Sequence, residues 1–118
     1  MIVALWAVAF VALAAAGSCL RFLVGRYVNG DFPWGTLTVN ITAAFALGLL
    51  HDADPVVQTV VGIGALGAFS TWSTVANEVA ELGRDGLGAQ AVLYLMATTT
   101  IGVVAAWVGL QASGSIGL

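Results

Sequence analysis

Four long blocks without a charged side chain dominate this sequence. They cover residues 1–20, 32–51, 55–77 and 86–118. Each block supplies the roughly 20 mostly apolar residues that a membrane-spanning helix needs. Only 8% of the 118 residues are charged, whereas a typical soluble domain carries about 25%. The sequence therefore predicts an all-α membrane protein with four transmembrane helices.

These helices are predicted to form a single domain over residues 1–118, with short connectors that hold most of the charges. Their predicted bounds are residues 2–23, 35–50, 56–82 and 89–110. Arg21, Arg26 and Arg84 all fall on one side of this four-span arrangement. Basic residues favour the cytoplasmic side, so this bias predicts that both termini lie outside.

Several other classes of protein do not fit the sequence. The first block lacks a basic n-region, and Arg21 follows it, so we interpret it as a helix and not as a signal peptide. Cys19 is the sole cysteine, which rules out an intrachain disulfide. The chain also has no basic patch that would bind nucleic acid.

A polar, helix-breaking patch interrupts the third block. Residues 67–74 read GAFSTWST. Irregular backbone survives in hydrocarbon only where it is buried in protein or lines a cavity, and transporters place ion sites at such breaks. We therefore expect the third helix to be broken near residues 67–71 and the protein to pass an ion or solute. Four short helices enclose little space, which favours an oligomer with the path at an interface.

Two helix faces carry small and polar residues at intervals of four. On the second helix these are Thr36, Asn40, Ala44 and Gly48, and on the fourth they are Tyr94, Thr98, Gly102 and Ala106. Small residues at this spacing allow helices to approach closely in lipid. The residues alone leave open whether Asn40 joins helices or lines a path. They also leave open whether Thr98, Thr99 and Thr100 form a donor track or bond to their own helix carbonyls.

Two further features have competing interpretations. Residues 62–67 match G-x-G-x-x-G, but a dinucleotide site needs a preceding strand, so we interpret these glycines as points of close helix contact. Glu78 near the end of the third helix is either an ordinary interfacial charge or part of a vestibule, where it could pair with an arginine.

Three ordered motifs resemble the Fluc (CrcB-type) fluoride channel family, and the resemblance covers nearly the whole chain. The motifs are GSCLR at residues 17–21, GTLTVN at residues 35–40, and GALGAFSTWST at residues 64–74 with Glu78 after it. The resemblance implies an antiparallel, dual-topology dimer in the cell inner (plasma) membrane. It further implies two passive fluoride pores, export of cytoplasmic fluoride that gives fluoride resistance, and no enzymatic activity.

The same resemblance implies roles for particular residues. A structural sodium ion would be held at the dimer centre by the backbone carbonyls of Gly67 and Ser70. Arg21 and Glu78 would shape a vestibule. The pore would be lined by Asn40, Thr71, Trp72, Ser73, Tyr94 and Thr98.

The chain departs from the family pattern at two aromatic positions. The family presents two phenylalanines whose ring edges face the anions, whereas this chain has Trp72 and Val75. Together with the one-sided arginines, this difference suggests the hypothesis of a heterodimer with an inverted paralogue. A small multidrug-type exporter is the main alternative, but residues 1–20 lack the carboxylate it would need. An assembly subunit that transports nothing is a third interpretation.

Overall fold

The computed structural model describes residues 1–70 and 72–116, with side chains up to residue 114. All regular secondary structure in this part of the chain is helical. The helices are α1 (Ile2–Val28), α2 (Trp34–Leu49), α3 (Pro55–Val57, Gln58–Leu66 and Gly67–Phe69 in succession), α4 (Trp72–Arg84) and α5 (Gly88–Ile116). The predicted all-α class is therefore confirmed for the described residues.

Three stretches of helix are long and apolar enough to cross a membrane among the described residues. They are Ile2–Val28, Pro55–Arg84 and Gly88–Gly114. The second predicted span, α2, has only 16 residues. At 1.5 Å per residue it is about 24 Å long, shorter than a hydrocarbon core of about 30 Å. Its role as a fourth span stays a prediction.

Two helices are longer than the sequence suggested. Helix α1 ends at Val28 and not at residue 23, with Arg26 in its last turn. A cation there interacts favourably with the negative end of the helix dipole, so the charge supports the helix and does not end it. Helix α5 likewise continues to Ile116, beyond its predicted end at residue 110.

Helices α1 and α3 run in the same direction and touch through glycines. A methyl group added at Gly17 would collide with the Ala65 carbonyl oxygen, and one added at Gly64 would lie 3.1 Å from the Phe10 ring. The interpretation of residues 62–67 as points of close contact is therefore confirmed at Gly64. Bare backbone at these positions lets the two helices pack at short range.

Helices α2 and α5 form the second close pair, and they are also parallel. A methyl group at Gly48 would collide with the Ala106 carbonyl oxygen, and one at Gly109 with the Phe45 carbonyl oxygen. Close to the other end of α2, the side chains of Leu37 and Tyr94 share a small buried core. The remaining core residues are Val75, Leu82 and Ala91, with Phe32 packed against them.

Helix α3 differs from the prediction in its local geometry. Residues Gln58–Leu66 form a π-helix, which the sequence analysis did not foresee. The backbone returns to α-helical geometry from Gly67 to Phe69, after which Ser70 takes an extended conformation (φ −86°, ψ 154°). Helix α4 begins at Trp72. Because Thr71 lies outside the described residues, the break near residues 67–71 stays a prediction.

The Gly109 contact generates a first test. We expect Gly109→Ala to destabilise the protein by about 1–3 kcal/mol, because its methyl group would force α5 away from the α2 backbone. Gly114→Ala on the same helix is the matched control, since no described atom lies within 4 Å of a methyl group there. Thermal unfolding of purified protein in detergent measures both. Equal melting temperatures for the two variants would contradict the close α2–α5 contact.

Candidate functional site

A groove of about 420 Å³ lies between α2 and α5, beside the junction of α3 and α4. Its wall contains three of the residues predicted to line a pore, Asn40, Trp72 and Thr98, and also Ser70. The other lining residues are Ala44, Leu47, Thr99, Gly102, Val103 and Ala106. No charged side chain is among them, so the polarity of this groove comes from amide and hydroxyl groups.

The two threonines of this groove behave differently. The Thr99 hydroxyl donates to the Leu95 carbonyl at 2.9 Å, which is the local bond that membrane helices commonly use for threonine. The Thr98 side chain is only 7% exposed, and its Oγ1 has no hydrogen-bond partner within the described part of the chain. A buried hydroxyl without a partner is unusual in a native protein. The Thr98 hydroxyl can therefore donate a hydrogen bond to a ligand in the groove.

The structure does not bring every predicted pore residue to this groove. Tyr94 is fully buried, and its hydroxyl donates to Glu78 Oε2 at 2.9 Å. Ser73 is exposed on α4 and is not part of the groove wall. Thr71 lies outside the described residues. The pore roles of these three residues stay predictions.

Val75, one of the two residues compared with the family's phenylalanines, does not line the groove. Its side chain has no exposed surface and packs in the core with Leu37 and Tyr94. Trp72, by contrast, is 63% exposed at the edge of the groove. Of these two residues, only Trp72 therefore faces the groove.

A second depression, of about 400 Å³, brings the two predicted vestibule residues together. Arg21 and Glu78 both line it, as do Asn29, Thr36 and Thr74. Phe22, Gly25 and Arg26 complete the wall. The Arg21 Nη1 atom donates to Thr74 Oγ1 at 3.4 Å. Within the described residues, Arg21 forms no ion pair with a carboxylate within 4.0 Å.

Glu78 is held instead by two hydroxyl groups. Thr36 Oγ1 donates to its Oε1 at 2.8 Å, and the Tyr94 hydroxyl donates to its Oε2. Asn29 completes this polar cluster by two bonds to Thr36: its Nδ2 donates to Thr36 Oγ1 at 3.2 Å, and its Oδ1 accepts the Thr36 backbone N–H at 3.1 Å. No spacing along the chain indicates these contacts, so Asn29 was not predicted as a site residue.

Gly67 and Ser70 carry the carbonyl groups predicted to hold sodium. Gly67 begins the last turn of α3, and Ser70 follows its last residue. The final carbonyls of a helix lack donors within the helix. Carbonyl oxygens at interrupted helix ends are the ligands that Na⁺ takes in membrane transporters. The donor chemistry at this end of α3 therefore fits a sodium ion.

Comparison with known proteins places the chain in a family. A family model described as CrcB-like protein, Camphor Resistance (CrcB), matches residues 8–110. Fluoride-specific ion channel FluC 2 of Corynebacterium diphtheriae is 44% identical over 101 residues, which cover 83% of this chain and 91% of the relative.

More distant relatives carry the same description. Fluoride-specific ion channel FluC 1 of Symbiobacterium thermophilum is 40% identical over 108 residues, covering 81% of this chain and 87% of that protein. The corresponding channel of Vibrio vulnificus is 36% identical over 115 residues, covering 86% and 90%. Similarity of this extent, together with the three apolar helices long enough to cross a membrane, shows that the chain belongs to the Fluc (CrcB-type) fluoride channel family.

Proposed function

We propose that this chain is the subunit of a passive, fluoride-selective anion channel that exports cytoplasmic fluoride. The observation that carries the proposal is the buried Thr98 hydroxyl, which has no partner in the described part of the chain and lines the same groove as Asn40. Relatives described as fluoride-specific ion channels support the identity of the ion.

The chemistry of the groove suits a small anion that gives up its water. Fluoride must exchange its hydration shell for close hydrogen-bond donors. An asparagine amide offers two N–H donors, and each serine or threonine hydroxyl offers one. Asn40, Ser70 and Thr98 supply such groups without a positive charge that would bind the ion too firmly to release it. Conduction needs binding of this intermediate strength.

The depression that holds Arg21 gives the anion a point of attraction before the groove. An arginine without a carboxylate partner raises the local anion concentration, because charge in a cleft with low-dielectric walls focuses the field. Glu78 lines the same depression, where its carboxylate accepts hydrogen bonds from two hydroxyl groups. The depression is therefore the vestibule, and the groove of Asn40 and Thr98 is the narrow part of the path.

A sodium ion on the Gly67 and Ser70 carbonyls fits this arrangement. When bound there, the ion supplies a fixed positive charge that lowers the cost of an anion in a medium of low dielectric. Ser70 also lines the groove, so a sodium ion on its carbonyl would lie beside the proposed pathway. The break near residues 67–71 is the part of the third helix that frees these carbonyls.

The groove needs a second surface to close it against lipid. We propose an antiparallel, dual-topology dimer in which two subunits enclose two pores. The subunit then crosses the cell inner (plasma) membrane four times, with lipid around the dimer. An inverted paralogue in place of the second copy is the alternative, favoured by the exposed Trp72 and by the three arginines toward one end.

Fluoride efflux from liposomes that contain only this protein is the direct test. We expect fast fluoride efflux and no chloride efflux, because only a small anion gains enough from close neutral donors. Efflux that requires an added paralogue would support the heterodimer. No fluoride efflux in either preparation would overturn the proposed function.

The Asn40→Asp variant tests whether the groove is the path. A fixed negative charge about 4 Å from a passing anion costs about 4 kcal/mol at an effective dielectric of 20, roughly a thousandfold in rate. We expect fluoride flux to fall to the leak of empty liposomes. Asn77→Asp makes the same charge change at an exposed position of α4 outside the groove. Flux in Asn40→Asp equal to that in Asn77→Asp would exclude Asn40 from the pathway.

The Val75→Phe variant tests whether the core has room for a phenylalanine ring at position 75. Because Val75 has no exposed surface, the larger ring would overpack the core and destabilise the protein by about 1–3 kcal/mol. Trp72→Phe, at the exposed position, is expected to leave the melting temperature near that of the wild type. Thermal unfolding measures both variants. A Val75→Phe protein as stable as the wild type would mean that position 75 has room for a ring, as in the family pattern.

A further inference from the structure

Opposite charges share the vestibule without pairing. Arg21 and Glu78 line the same depression of about 400 Å³, yet no carboxylate among the described residues lies within 4.0 Å of the Arg21 guanidinium. Arg21 Nε is buried and has no partner in the described part of the chain. An arginine next to a carboxylate normally forms a charge-assisted, often bidentate, contact. Glu78 is therefore engaged by a different contact.

That contact is the pair of hydroxyl donors on Glu78. Thr36 occupies Oε1 at 2.8 Å and Tyr94 occupies Oε2 at 2.9 Å. Each carboxylate oxygen thus carries one short bond to a buried side chain. Hydrogen bonds to a charged group are stronger than those between neutral groups, so they compete with the attraction of Arg21.

Asn29 decides where the Thr36 hydroxyl points. A threonine hydroxyl has a single hydrogen to donate. Asn29 Nδ2 donates to Thr36 Oγ1, which directs the Thr36 hydrogen away from Asn29 and toward Glu78. The orientation of the Asn29 amide is itself fixed, because its Oδ1 accepts the Thr36 backbone N–H. That N–H belongs to the first turn of α2, whose N-cap residue, Pro33, makes no side-chain cap.

We propose that Asn29 is a positioning residue, which keeps the Thr36 hydroxyl on Glu78 and so prevents Glu78 from neutralising Arg21. The inference rests on the proposed function, in which Arg21 attracts fluoride into the vestibule. Without the Asn29 donor, the Thr36 hydrogen is free to turn away, Glu78 loses one of its two bonds, and its carboxylate moves to Arg21. The vestibule then loses its attraction for anions, although the groove of Asn40 and Thr98 is unchanged.

The Asn29→Asp variant separates this role from that of a helix cap. A carboxylate still accepts the Thr36 backbone N–H, so the first turn of α2 keeps its cap. It cannot donate to Thr36 Oγ1 and accepts the Thr36 hydrogen instead. We expect the fluoride concentration at half-maximal flux to rise about tenfold, the effect of losing one charge-assisted hydrogen bond. The maximal flux and the melting temperature should stay close to those of the wild type.

Two companion variants identify the cause of that rise. Asn77→Asp adds a negative charge at the exposed position next to Glu78 in sequence, outside the depression, and is the control for the change in net charge of the protein. The double variant Asn29→Asp with Glu78→Gln removes the carboxylate that would pair with Arg21, so it should return the half-maximal concentration toward the wild-type value. A rise in Asn77→Asp equal to that in Asn29→Asp would overturn the proposal.

A spectroscopic measurement decides the matter without transport. The NMR signal of the Arg21 Nε–H group, assigned by its loss in Arg21→Lys, reports an ion pair directly. We expect it to shift downfield in Asn29→Asp, and to keep its wild-type position in the double variant with Glu78→Gln. An unchanged Arg21 signal in Asn29→Asp overturns the proposal even where fluoride flux is normal. A wild-type protein that passes no fluoride overturns the proposed function, while the Arg21 signal still tests the role of Asn29.

Discussion

Inside a bilayer a polar group has no water to bond, so its partner must come from the protein or from a ligand that enters it. The polar side chains of this protein fall into two groups, those with a described partner and those without one. Glu78 is satisfied by Thr36 and Tyr94, and Thr99 by its own helix. Thr98 has no described partner, although it is nearly buried. Its unmet bond leaves a hydroxyl donor at the groove, as the unpartnered Arg21 Nε leaves a donor at the second depression.

The backbone contacts that create this groove depend on glycine. Gly48 and Gly109 bring α2 and α5 together, and Gly17 brings α1 against α3. In lipid the helices gain little from burying apolar side chains, so close packing and polar bonds must hold them. The parallel pair of α2 and α5 then sets Asn40 beside Thr98. The close packing of α2 and α5 and the groove beside Asn40 and Thr98 are thus two consequences of one helix crossing.

Sequence reasoning located the features that repeat along the chain and missed those that join distant parts of it. Uncharged blocks predicted the helices, and spacings of four placed Asn40 and Thr98 on the small and polar faces of two of them, because both signals are local. The bond between Thr36 and Glu78 joins residues 42 positions apart, and no local pattern encodes it. The π-helix at Gln58–Leu66 was missed for a related reason: its glycine and β-branched residues also suit an ordinary membrane helix.

The buried position of Val75 links the core to the vestibule. Val75 and Tyr94 pack together, and the hydroxyl of Tyr94 is one of the two donors that hold Glu78. Any side chain at position 75 that moves the Tyr94 ring therefore also moves a donor of Glu78. Phe32 packs edge-on against the same ring at 5.5 Å, which restricts its freedom on another side. Val75 is thus linked to Glu78 through Tyr94, although its own side chain does not reach the groove.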